Sequence, residues 1–134
     1  MATAFEVNSA SSQSGLYVSD TQQVNKKQVR VLTLPSVEGA PAAMALPDGI
    51  VAYRHDWGNW NGQCRLNLNW DVINANSLVF VAIGEGAAGG GKFIGGAKYT
   101  LHNVAPTNGA VNIWVNIEWS NPIRLYVDYL VINP

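Results

Sequence analysis

The sequence predicts an all-β chain folded as one antiparallel β-sandwich of about eight strands, with Greek-key or jelly-roll-like connections. Three observations carry this prediction. Apolar residues recur at every second position along most of the chain, turn-forming residues return at intervals of roughly ten, and no stretch sustains a helical period. A length of 134 residues suits one domain, and 48% hydrophobic against 13% charged residues excludes intrinsic disorder.

Residues 1–14, which include Ser9-Ala10-Ser11-Ser12-Gln13-Ser14, are small and polar without periodicity, so they read as a flexible or edge segment ahead of a domain spanning residues 15–134. Leu16-Tyr17-Val18 begins the alternation, and Val29 to Leu34 continues it. Pro35, Pro41 and Pro47 punctuate the next stretch and confine it to a long crossover loop up to Asp48. Ile50 to Arg54 is β again. In Cys64 to Trp70, the residues Leu66, Leu68 and Trp70 share one face and Arg65, Asn67 and Asn69 the other. Leu78 to Ile83 is a continuous apolar run, the pattern of a central strand buried on both sides. Tyr99 to Val104 forms a further strand, and Asn108-Gly109 is a tight-turn signal leading into the next. Finally, Val111, Ile113, Val115, Ile117 and Trp119 alternate with polar residues, as do Ile123, Leu125, Val127, Tyr129 and Val131 after the Ser120-Asn121-Pro122 turn, so these two strands read as a hairpin with one core face.

Charge and cysteine content exclude several functions. The net charge is -1 and the eight basic residues are scattered, which leaves no footprint for nucleic acid or anionic lipid. The single cysteine, Cys64, has no partner for a disulfide and no chelating cluster beside it, so the sequence asks for no metal and no cofactor. No apolar run reaches membrane-helix length, and Met1 to Glu6 shows no signal peptide, so the expectation is a cytoplasmic or non-classically released protein. Gly84-Glu85-Gly86-Ala87-Ala88-Gly89 spells a dinucleotide fingerprint, but the glycines that follow oppose the helix it requires. Gly86 to Lys92 resembles a P-loop in spacing, yet Phe93 stands where a magnesium-binding hydroxyl belongs. Both read as a flexible glycine loop. Only His55 and His102 are present among histidines, the carboxylates are dispersed, and no nucleophile motif emerges, so the chain reads as a binding protein and not an enzyme.

Five Trp and five Tyr with abundant Asn suit stacking and adaptable hydrogen bonding. Asp56-Trp57-Gly58-Asn59-Trp60-Asn61-Gly62 gathers two indoles, two amides and a carboxylate in one glycine-hinged loop, which is what a sugar's C–H face and hydroxyls require. Asp56, Trp57, Asn59, Trp60 and Asn61 are therefore candidate ligand-binding residues, unless the indoles tuck into the core. A second candidate is the polar face of the C-terminal hairpin, where Asn112, Trp114, Asn116 and Glu118 align beside Arg124, Tyr126 and Asp128. Such a face serves equally as a platform for glycans or as a subunit interface.

From Leu78 to Ile132 the order is an apolar strand, a variable loop, the Lys98-Tyr99-Thr100 strand, a Pro106-Thr107-Asn108-Gly109 turn, a strand ending in Trp119, a short polar turn and a last strand. This block resembles the H-type lectin domain. The resemblance implies trimeric association and binding of N-acetylgalactosamine-like sugars near Trp119, which would line the sugar. Ser120 stands where snail-type members carry a histidine contact, and Lys98 lies near where they carry arginine. The N-terminal half has no counterpart there, so other sandwich-type lectin families, including cytoplasmic defence lectins, remain open. The expected function is glycan binding made multivalent by a homo-oligomer. The alternatives are a coat or appendage subunit that self-associates through aromatic faces, and a glycan-acting enzyme.

Overall fold

The alternation closes into two packed sheets. A computed structural model describes residues 17–32 and 49–134. The expected N-terminal segment and the Pro35–Asp48 crossover lie outside the described residues. Nine strands are found among them: β1 (Val18–Gln23), β2 (Arg30–Val31), β3 (Ile50–Trp60), β4 (Gly62–Asn69), β5 (Leu78–Gly86), β6 (Lys92–Phe93), β7 (Lys98–Thr107), β8 (Ala110–Glu118) and β9 (Ile123–Ile132). One sheet has the order β1-β4-β8-β7 and the other β2-β3-β9-β5-β6. The only helical element described is a 3-10 turn, Lys26–Gln28, so neither glycine motif meets a helix. No described helix is long and apolar enough to cross a membrane.

The core lies between the sheets. Leu66, Leu68, Val111 and Val115 from one sheet meet Leu125, Val127 and Val131 from the other, all at 0% exposure. Each buried aliphatic side chain contributes about 1.5–3 kcal/mol. The Asn108-Gly109 turn joins β7 to β8 as expected, with Gly109 at φ +86°, a conformation that favours glycine.

Three expectations require correction. First, β8 and β9 are not a hairpin: β8 pairs with β4 and β7, whereas β9 pairs with β3 and β5 in the opposite sheet. Each strand turns its apolar side inward, but from opposite walls of the sandwich, so their polar faces point away from each other. Second, β5 is not buried on both sides, because Leu78 and Phe80 are 51% and 56% exposed on its outer face. Its apolar run covers one core face and one bare face.

Third, Asp56 to Trp60 is strand and not loop, with Asn61 alone between it and β4. The β3–β9 register slips between Asp56 and Gly58, which makes Trp57 an extra, bulged residue. The slip inverts the alternation, so Trp57 before it and Trp60 after it both pack against the core. Gly58, at φ +88°, accommodates the bulge. The all-β sandwich of largely antiparallel sheets is as expected, with one parallel pair, β1 beside β4. Between them the chain crosses to the other sheet, builds β2 and β3 and crosses back, a route that permits parallel pairing as a tight hairpin cannot.

Candidate functional site

The sandwich separates the candidate residues into four places. Trp57 belongs to the core, 2% exposed, with its indole N–H donating to Tyr129 Oη at 3.1 Å. Trp60 is half-buried and donates to the Trp57 carbonyl at 2.8 Å. Neither presents a ring face in an open loop.

The second place is the outer face of the five-stranded sheet, where Asp56, Asn59, Arg124 and Tyr126 sit. Arg124 Nη1 is 2.9 Å from Asp56 Oδ2, and Asn59 is the register partner of Arg124. Tyr126 is only 8% exposed, because the backbone of Gly86 lies over its ring: a Cβ at Gly86 would come within 2.5 Å of Tyr126 Cδ1. Asp128 receives two hydrogen bonds from Arg54, at 2.6 and 2.9 Å, and one from Lys92 at 2.8 Å. Burial alone would raise the Asp128 carboxyl, but the bonds from Arg54 and Lys92 outweigh it and hold the group below the usual carboxylate range. Arg54, Asp56, Tyr126 and Asp128 line an open groove of about 910 Å³ together with Phe80, Ala82 and Leu130. A general acid requires the opposite shift, so Asp128 is suited to tying β3 and β6 to the central strand β9 and not to protonating a leaving group.

The third place is the end of the sandwich where Asn61, Lys98, Trp119 and Ser120 meet. Asn61 Nδ2 donates to the Trp119 carbonyl at 3.3 Å, and Lys98 is the register partner of Glu118. Trp119 is 46% exposed; Gly96 lies so close that an added Cβ would stand 3.3 Å from Trp119 Cη2 and Cζ3. Its indole N–H has no hydrogen-bond partner among the described residues.

Trp114 marks a different surface, the outer face of the four-stranded sheet. Four planar groups, one from each strand or its border, form a row across this face: Tyr17, Arg65, Trp114 and His102. Arg65 Cζ lies 4.3 Å from the Tyr17 ring centroid and 4.7 Å from that of Trp114. The His102 ring stacks on Trp114 with centroids 4.6 Å apart and planes inclined by 32°. His102 can do so because the β7–β8 register slips between Leu101 and Asn103, which leaves it unpaired and turned outward. The Trp114 indole N–H is held by Gln63 Oε1 at 2.6 Å. Arg65 on the strand to one side and His102 on the strand to the other leave the indole half-buried.

No match emerges when the chain is compared with family models, curated proteins and solved structures.

Amides and hydroxyls flank the row. Asn112 Nδ2 donates to Asn67 Oδ1 at 2.8 Å, and Asn67 Nδ2 donates to Asn69 Oδ1 at 2.9 Å. Gln63, Asn116 and Thr100 are register neighbours on the other side of it. Sequence reading placed Asn112, Trp114 and Asn116 on this platform but gave it the wrong companions. Its true neighbours are Tyr17, Arg65, Asn67 and His102. The alternation of Cys64 to Trp70 already set Arg65 and Asn67 on a polar face; what was missing was the knowledge that β4 lies beside β8. Among the described residues, no group of three or more His, Cys, Asp or Glu could hold a metal ion.

Proposed function

We propose that the chain is a carbohydrate-binding protein that recognises glycans on the outer face of the β1-β4-β8-β7 sheet, and that it acts as a homo-oligomer, in the cytoplasm or after non-classical release. The observation that carries this reading is the composition of that face. Its ionised groups are Arg65 near the centre with Lys98 and Glu118 at the rim; the remainder is mostly amide, hydroxyl and aromatic. Asn and Gln each offer donors and an acceptor, the pairing that adjacent sugar hydroxyls need. The Trp119 end, where the H-type lectin resemblance puts a sugar, would supply a second contact on an exposed indole. A glycan array probed with the whole chain, combined with agglutination of red cells, tests the reading. Binding that is lost in Asn112→Ala and Asn67→Ala but kept in Phe80→Ala supports it.

A second reading has its own observation. Leu78 and Phe80 are more than half exposed beside a groove on the outer face of the five-stranded sheet, and apolar surface of this kind favours self-association. Silence on the array, together with filaments or shells in electron micrographs, would replace glycan binding with assembly.

A further inference from the structure

Arg65 is unlike the other cations engaged in this fold. Lys26, Arg54, Lys92 and Arg124 each hold a carboxylate. Arg65 has no ion pair and no side-chain hydrogen bond among the described residues, and it is exposed on a face that is otherwise almost neutral. It is nevertheless held in place, between the Tyr17 ring at 4.3 Å and the Trp114 ring at 4.7 Å. Stacking engages the flat sides of a guanidinium and leaves its in-plane N–H donors to bond elsewhere. Confinement between two rings also removes much of the side-chain freedom that a flexible arginine loses on binding a ligand.

The neighbours extend this character. The Tyr17 and Trp114 rings flank Arg65, and His102 packs against Trp114. The result is a narrow ridge with one guanidinium whose N–H donors have no side-chain partner among the described residues. Its complement is a planar anion that accepts two parallel N–H bonds, which a carboxylate does. Beside the ridge lie Gln63, Asn116 and Thr100 on one side and Thr21, Asn67 and Asn112 on the other, all uncharged hydrogen-bonding groups. A polyanion that presents charge along its whole length would need several cations in series, and the face offers one at its centre.

We infer that the ligand is a glycan carrying a carboxylate on the sugar, a uronic or sialic acid, and that Arg65 binds the carboxylate while the flanking amides bind the hydroxyls. This rests on the glycan-binding reading and specifies its substrate class.

The test is calorimetric titration of the whole chain with trigalacturonate, its methyl ester, sialyllactose, lactose and a short poly-glutamate peptide. The acidic sugars are expected to bind about tenfold or more tightly than the ester and lactose, the scale of a charge-assisted hydrogen bond. Arg65→Met should abolish that preference with an unchanged melting temperature. Arg65→Lys, which keeps the charge but not the fork, should lose most of it. If the wild-type chain binds acid and ester equally, or Arg65→Met keeps the preference, the inference fails and glycan binding stands. Poly-glutamate bound as tightly as trigalacturonate would also overturn it, since the carboxylate alone would then be recognised. Binding to none of the sugars would remove glycan binding and the inference together.

Discussion

Trp57 Nε1 donates to Tyr129 Oη across 3.1 Å in the interior, where the two residues are 2% and 1% exposed. This bond joins the bulge of β3 to its neighbour β9, and it assigns the first indole of the Asp56–Gly62 segment to the core. Trp57→Ala should therefore cost about 3–5 kcal/mol in denaturant unfolding. Trp57→Phe should cost less while leaving the buried Tyr129 oxygen without its donor. Ligand affinity of the folded fraction is expected to stay unchanged in both. Lost affinity at unchanged stability would return Trp57 to the surface.

Val115 and Leu125 are 0% exposed and approach the core from opposite sheets. Val115→Asp and Leu125→Asp should each prevent folding, because an unpaired charge is placed where no water reaches it. Asn116→Asp, on the outer face of β8, should leave the far-ultraviolet circular dichroism and the unfolding midpoint nearly unchanged. Equal intolerance at all three positions would mean that the outer face is also buried, against another subunit.

His55 is buried, with Nδ1 2.6 Å from Tyr53 Oη and Nε2 2.7 Å from Gln22 Oε1. The glutamine oxygen can only accept, so Nε2 carries the proton and Nδ1 accepts from the Tyr53 hydroxyl, which itself accepts from the Asn25 amide at 3.0 Å. This chain ties β1 to β3 across the two sheets. Burial lowers the His55 pKa, and the nearby Asp56 charge only partly opposes it. The unfolded chain therefore binds this proton more readily. The stability His55 confers is complete above the ordinary histidine value of about 6.5 and is lost as pH falls from there through the folded value. Melting temperatures measured from pH 8 downward should fall through this window, and His55→Gln should flatten the slope. An unchanged slope would show that another group governs the acid limb.

Cys64 is 0% exposed and burial pushes its thiol up to about 12. The native chain should resist a thiol-specific reagent at pH 8 and react fully once unfolded in guanidinium, because the thiolate is the reacting form. Rapid labelling of the native chain would indicate that the β3–β4 corner opens readily.

Periodicity by itself determined which face of β4, β8 and β9 is core. Leu66, Leu68, Val111, Val115, Leu125 and Val127 were all assigned inward from alternation, because a strand's side chains take opposite faces in turn and water separates the apolar set from the polar one. The Asn108-Gly109 turn was legible for a similarly local reason, a backbone conformation that glycine tolerates best. Partner choice is not local. A period of two records the face a side chain takes and leaves the neighbouring strand unspecified, so β8 and β9, nine and ten residues long, gave no sign that they lie in opposite sheets. Only the tertiary structure brought Arg65 of β4 between Tyr17 and Trp114, and only a one-residue register slip turned Trp57 and Trp60 to the same side. Both depend on hydrogen bonds between strands distant in sequence, whose free energy depends on the whole sandwich and not on any one segment.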